Sequence, residues 1–270
     1  MVRVTSTDRR AALRAGAGIV AGSAFTAACT PAGPPSGTVA HHPPASPAPT
    51  ASTPSRPAPT RPAPAPRAHP HHPAQITHGP RDRPRVALTF HGQGDPATAR
   101  ALLDEAERHG ARVTVLAVGT WLEEHPGLAR RVLDGGHDLG NHTHRHLDIN
   151  ALPEAEAERE IVACADRLRR LTGSIGTWFR PSRAARASPA VEALARRAGY
   201  PHVLSYDVDS LDFTSPGGPA VARTVLDGIR HGSVVSLHFG YADTVAALPA
   251  VLAELHRRGL RAVTTTELLS

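Results

Sequence analysis

From residue 85 to the end of the chain, strand-like and helix-like stretches alternate. That order limits the fold to an α/β arrangement, a parallel sheet flanked by helices and either open or closed into a barrel. Arg85-Val86-Ala87-Leu88-Thr89-Phe90 reads as a strand. Asp95-Pro96 then opens a helix that runs to His109-Gly110, with aspartate as the N-cap and proline in the first turn. Further strands are expected at 113–118, 177–180, 203–207, 233–238 and 261–263, and Gly136-His137-Asp138-Leu139 leads into a loop as a strand would. Helices are expected near Trp121 and at 128–133, 153–171, 188–198, 219–230 and 243–258. The 153–171 helix starts acidic (Glu154, Glu156, Glu158) and ends basic (Arg167, Arg169, Arg170), as the helix dipole favours. This stretch is long enough for one good core, and no internal repeat is visible.

The preceding residues have a different character, which divides the chain into 1–29, 30–83 and 84–270. Arg9-Arg10 followed by the small apolar run Ala11 to Ala28 fits a twin-arginine export signal. The run is too short and too rich in Gly and Ala for a permanent membrane span. Thr26-Ala27-Ala28-Cys29 resembles a lipoprotein processing site at which Cys29 would be acylated and anchor the protein to a membrane; Thr26 stands where leucine is usual. Secretion after cleavage at a nearby Ala-x-Ala site is the alternative. Residues 30–83, dominated by Pro, Ala, Ser and Thr, have almost nothing to bury and read as a disordered, extended tether. Its histidines read as low-complexity filler.

Charge follows the same division. Residues 1–84 hold nine Arg and two Asp, whereas 85–270 hold 21 Arg against 22 Asp plus Glu, so the formal +6 belongs to the tail. The folded part offers no basic face for nucleic acid, and the basic tail suits anionic lipid or wall polymer. With Cys29 spent on processing or removed, Cys164 stands alone as a buried helical thiol and no disulfide is expected.

The segment Gly140-Asn141-His142-Thr143-His144-Arg145-His146 carries the chemistry. His142 and His146 are four residues apart, so a helical turn there would project both imidazoles from one face toward one metal ion. His144 would point elsewhere, as a surface residue. A solvated histidine cluster is the bland alternative.

Together these stretches resemble the polysaccharide deacetylase family (carbohydrate esterase family four) over about 84–270. His142-Thr143-His144-Arg145-His146 matches its His-Ser/Thr-x-x-x-His element, and Phe179-Arg180-Pro181 its Arg-Pro element, with Ser182-Arg183 replacing the usual Pro-Tyr-Gly tail. Asp207-Val208-Asp209-Ser210-Leu211-Asp212-Phe213 resembles the Asp-x-x-Asp-Trp element, and Ser236-Leu237-His238 the final Leu-His element. The resemblance implies an irregular (β/α) barrel that removes acetyl groups from chitin-like or peptidoglycan sugars. It implies a divalent metal, usually zinc, held by Asp-His-His. It also implies His238 as the acid for the leaving group, with Asp209 supporting its charged form, and Arg180 as the residue that orients the base.

The first motif departs from the pattern. The family's Thr-Phe-Asp-Asp-Gly-Pro-Asp-Pro falls without gaps on Thr89-Phe90-His91-Gly92-Gln93-Gly94-Asp95-Pro96, so His91 replaces the general base and Gly92 the metal-binding carboxylate. His91 could serve as the base or complete a His91-His142-His146 metal set; either role needs a neutral imidazole, which Arg180 beside it would favour. Without His91 as a ligand the metal site would be weak or absent. Asp95 is accounted for by its N-cap role. Asp207 and Asp212 are expected to pair with Arg180 or Arg183, and Trp121 and Trp178 to pack in the core or stack on sugar.

Two functions follow. One is an extracytoplasmic metal-dependent deacetylase of an N-acetylated cell-wall or chitin-like polysaccharide. The other is a catalytically impaired deacetylase fold that binds wall glycan. A non-metal amidohydrolase is a third, less compatible with an export signal.

Overall fold

The structure, a computed structural model, describes residues 63–270. The expected export signal with Cys29, and the tether up to residue 62, lie outside the described residues.

A parallel sheet runs through the domain. Its central strand is β2 (Arg85–Gly92), flanked by β3 (Thr114–Ala117) on one side and β7 (Val234–His238) on the other; β4 (Asp138–Asn141) and β6 (Val208–Asp209) lie outside these. Past β4 the arc continues through Phe179, which bridges Asn141 and Val203, to β5 (Val203–Leu204) and then β1 (Gln75–Ile76). His78, just beyond β1, bridges Ser233 at the foot of β7, so the arc returns toward its start. β8 (Arg261–Ala262) pairs with the opening of β2. This is the expected irregular barrel.

β2 is central because its apolar residues are buried on both faces: Val86, Ala87, Leu88 and Phe90 are all buried. Each larger one contributes about 1.5–3 kcal/mol by leaving water. Around the sheet lie α1 (Pro96–Arg108), α2 (Gly119–Glu124), α3 (Gly127–Asp134), α4 (Glu154–Thr172), α5 (Pro189–Arg197), α6 (Gly218–Gly228), α7 (Ala242–Arg257) and α8 (Thr265–Leu268). As expected, the Asp95 carboxylate caps α1, accepting the Thr98 N–H at 2.8 Å with Pro96 in the first turn. Cys164 is a buried thiol on α4, and burial pushes it up to about 12. None of the helices among the described residues is long and apolar enough to cross a membrane.

The structure corrects three sequence expectations. Residues 63–83 are not all tether: β1 pairs with β5, Ile76 is fully buried, and His69 stacks on Trp178 at 5.4 Å between centroids. A two-residue strand among prolines and histidines leaves no periodic signal. The expected strand 177–180 is reduced to isolated bridges at Phe179. The expected 203–207 strand stops at Leu204, because the Arg180 guanidinium takes the carbonyls of Leu204 and Ser205, each at 3.0 Å.

Candidate active site

Strand register builds the rim. β2 and β7 pair so that His91 stands beside His238, with ring centroids 4.2 Å apart. Side chains alternate along β2: Thr89 and His91 face inward to Arg180, Phe90 stacks on Phe239, and a Cβ at Gly92 would point at Val115, Ala117 and Trp121.

His142 follows β4 directly, its N–H donating to Ala117 at 2.9 Å and its ring 4.2 Å from His91. Its Nδ1 lies 3.0 Å from the Arg180 carbonyl. A carbonyl only accepts, so Nδ1 carries the proton and Nε2 keeps the lone pair. His142 Nε2 and His146 Nε2 are both buried with no partner. One nitrogen from each of His91, His142 and His146 lies within 4.8 Å of the others. Two orphaned imidazole nitrogens converging with a third fit a borderline divalent cation such as zinc.

The way the pair meets differs from the expected helical turn. Residues 142–146 form a loop in which Thr143 and His146 take left-handed backbone, at φ 66° and 57°. Such conformations in non-glycine residues persist only where the surroundings hold them. The Asn141 side chain accepts the Thr143 N–H at 2.8 Å, and Glu160 on α4 accepts the backbone N–H groups of His144 and Arg145 and the Arg145 guanidinium. Glu160 is itself buried. His144 is half-buried rather than a surface residue, packed over Gly119 and outside the three-histidine cluster.

Arg180 is fully buried and organises the floor. It donates to Thr89 at 2.8 Å, to His91 Nε2 at 3.2 Å, and to the two carbonyls that end β5, with its guanidinium over the Tyr206 ring. Burial draws Arg180 down to about 10, which leaves it charged at neutral pH. His91 sits well below the ordinary histidine range; burial is the main cause, followed by His142, His238 and then Arg180. His142 is lowered in the same way by burial and His146. Burial, Arg183 and His238 push His146 down to about 4. All three cluster imidazoles are therefore neutral at pH 7.

On the acid side the structure corrects the partner of His238. Asp212, not Asp209, accepts its Nδ1–H at 2.6 Å, and also takes the His238 N–H at 2.8 Å and the Thr244 hydroxyl at 2.6 Å. Burial alone would raise the Asp212 carboxyl, but these hydrogen bonds hold it below its usual value. Asp209 accepts the Leu211 N–H at 3.1 Å and lines the cavity. Asp207 pairs with Arg81 rather than with Arg180 or Arg183. The Asp-x-x-Asp spacing offered two carboxylates, and only the 3-10 turn Asp212–Thr214 decides which one swings under His238. Glu160 and Asp212 were the functional positions that sequence reasoning missed.

A cavity of about 400 Å³ opens over these groups, walled by His91, His146, His238, Arg183, Tyr206 and Tyr241. Trp121 and Trp178 are 5% and 2% exposed, which assigns both to packing.

Residues 78–203 match the family described as polysaccharide deacetylase. A peptidoglycan-N-acetylglucosamine deacetylase of Bacillus cereus is 32% identical over 194 residues, covering 70% of this chain and 90% of the relative. A chitooligosaccharide deacetylase of Sinorhizobium fredii is 30% identical, covering 65% of this chain and 87% of the relative. Among solved structures, a CE4 family pseudoenzyme from Bacillus anthracis shares the fold with a TM-score of 0.69 at 23% identity, covering 74% of this chain and 70% of that one. With relatives at 32% and 30% identity matched over most of their length, the chain belongs to the polysaccharide deacetylase family.

Proposed function

We propose that this protein is an exported, metal-dependent hydrolase that removes acetyl groups from an N-acetylated cell-wall or chitin-like glycan. One observation carries the reading: three neutral imidazoles converge on one point, and a carboxylate-backed histidine opens onto the same cavity. His91, His142 and His146 would hold the cation, which when bound supplies Lewis acidity and an activated water. The chain's own residues do the rest. Asp212 fixes His238 with Nδ1 protonated, leaving Nε2 as the nitrogen that carries and releases a proton. That proton goes to the leaving amine nitrogen as the C–N bond breaks. Tyr206, Phe213 and Tyr241 give the cavity aromatic walls for a sugar ring. Arg9-Arg10, the apolar run after them and Cys29 support export with lipid anchoring on the outer face of the membrane.

The test is metal analysis of the purified protein combined with acetate release from chitotetraose and from peptidoglycan. About one zinc per chain and metal-dependent acetate release are expected. Metal-free protein that stays inert after zinc addition would overturn the reading.

A specific observation favours the impaired, glycan-binding alternative. Neutral imidazole has one in-plane lone pair, and at His91 the Arg180 N–H already points at Nε2. Metal binding at His91 must displace that hydrogen bond or shift the ring proton. Glycan affinity with neither metal nor acetate release would mark this second function.

A further inference from the structure

The stretch that leads into β1 is pinned to the barrel by a buried histidine. His202, 9% exposed, holds both ends of a turn: its Nε2 accepts the His69 N–H at 2.9 Å and its Nδ1 donates to the Pro73 carbonyl at 2.9 Å. The His69 carbonyl accepts the His72 N–H at 2.9 Å and closes that turn. From there the stretch runs straight onto the sheet. The Val203 N–H donates to the Ala74 carbonyl at 2.8 Å, β1 pairs with β5, and the Ser205 N–H donates to the Ile76 carbonyl at 2.7 Å. Gln75 takes both backbone groups of Ala187: its Oε1 accepts the N–H at 3.1 Å and its Nε2 donates to the carbonyl at 2.8 Å. The segment that β1 backs carries the Leu204 and Ser205 carbonyls that hold Arg180. Residues 69–76 thus support both the buried floor of the site and the 181–187 loop on its cavity wall.

The pin holds only with neutral rings. A carbonyl only accepts, so the His202 proton sits on Nδ1 and the lone pair at Nε2 takes the His69 N–H. A second proton at Nε2 would set N–H against N–H and break that contact. His69 lies flat on Trp178 with its Nε2 buried and unpartnered, so a charged ring would carry an N–H there with nothing to accept it. The groups that bear on these rings are all basic: His202, His72 and Arg67 on His69, and His202, His78 and His71 on His72. Burial first, and then these neighbours, lower both rings from the ordinary histidine value. Among the described residues none of the five histidines forms an ion pair. The Glu192 carboxylate on α5 faces Gln75 Nε2 at 3.3 Å and pairs with Arg196. We infer that residues 69–76 are an acid-released strap: protonation of His202, with His69 and His72, frees β1 from β5 and slackens both the Arg180 floor and the 181–187 wall. The strap responds to the proton alone and operates whether or not the rim binds metal. Because the docked rings are neutral, docking is complete above the ordinary histidine value of about 6.5 and weakens as pH falls below it. The loss reaches about tenfold per pH unit for each ring that must shed a proton to dock.

Hydrogen–deuterium exchange of the full chain at pH 7.5 and 5.5, with rates corrected for the intrinsic effect of pH, tests the strap. Protection of residues 69–76 and of the Val203 and Ser205 amides should fall about tenfold or more, with 181–187 following, while β2 and β3 keep theirs. His202→Gln, whose amide both accepts and donates without titrating, should hold protection level across that range. Equal protection at the two pH values would overturn the inference. A loss shared equally by β2 and β3, or one that His202→Gln leaves unchanged, would overturn it too. If His202→Gln is already undocked at pH 7.5, His69→Phe decides, because it keeps the stack on Trp178 without a titrating ring. A smaller loss in that variant upholds the strap, and an unchanged one overturns it. Release of 69–76 with 181–187 still protected would overturn the coupling to the cavity.

Discussion

His91 and His238 occupy partnered positions on adjacent strands, 4.2 Å apart, yet the groups behind them are opposite in charge. Behind His91 stands the Arg180 guanidinium; behind His238 stands the Asp212 carboxylate. Burial chiefly, with Arg180 adding to it, keeps the His91 ring neutral with a lone pair to donate, and the Asp212 carboxylate fixes the His238 ring with Nδ1 protonated. One rim therefore presents a ligand-type histidine and an acid-type histidine side by side. The difference comes from the surroundings, burial together with the residues behind the rim, since the two side chains are chemically identical.

That contrast can be broken at either end. His142→Ala removes the nitrogen whose tautomer is set by the Arg180 carbonyl, and should weaken zinc affinity by more than about 100-fold. Metal-competition titration measures this, and retention of tight stoichiometric zinc would show that the cation does not sit between these histidines. His238→Ala and Asp212→Asn should leave zinc affinity in place and lower kcat by about 10²–10⁴. Asp209→Asn should change kcat less than Asp212→Asn, because Asp209 does not touch His238. If the two aspartates ranked the other way, the separation into a metal half and an acid half would fail.

How much of this was legible in the sequence follows from which interactions are local. The strand of β2, the Asp95 cap and the helices that cover the sheet each write their own period or cap, and they emerge where expected. His91, Arg180 and His238 were found through the family's motifs, and His142 through its spacing from His146; the structure brings all four to one rim. The loop route from His142 to His146 was not legible: it depends on Glu160, fourteen residues further on and on another element, reaching back to hold left-handed backbone. Asp212 was offered a different partner because carboxylates three residues apart are equivalent until a 3-10 turn orients them. The docked stretch 63–83 was invisible because its contacts, Gln75 with Ala187 and His69 with Trp178, join residues more than a hundred positions apart.

Restoring the carboxylate that the family carries at position 92 sharpens the contrast from the structural side. A Cβ there would lie 2.9 Å from Val115 Cγ1 and 3.1 Å from both the Ala117 Cα and the Trp121 ring, on the helix-facing side of β2. Gly92→Asp should therefore lower stability by about 1–3 kcal/mol through overpacking, without raising zinc affinity. Chemical denaturation and zinc titration of the same variant check both halves. A gain in zinc affinity at undiminished stability would mean that the strand end can turn this position inward.

The smallest expected effect compares the rim histidines with one far from them. His137 precedes β4, its Nδ1 accepting the Val113 N–H at 3.1 Å and its Nε2–H donating to Glu107 at 3.0 Å. It must be neutral to accept that N–H, and burial lowers its pKa, with Glu107 opposing. The unfolded chain then binds the proton first as pH falls below about 6.5. Stability present above that value is lost toward acid, with a slope of at most about 1.4 kcal/mol per pH unit for one site. The buried rim imidazoles of His91 and His142 add slope of the same sign in the metal-free protein. His137→Gln should make unfolding free energy fall less steeply between pH 7 and 5, and zinc should leave the rim's share of the slope in place, because bound metal keeps protons off the folded imidazoles. Identical slopes for the variant and the parent would show that His137 titrates alike in the folded and unfolded chain, and that the acid sensitivity resides elsewhere.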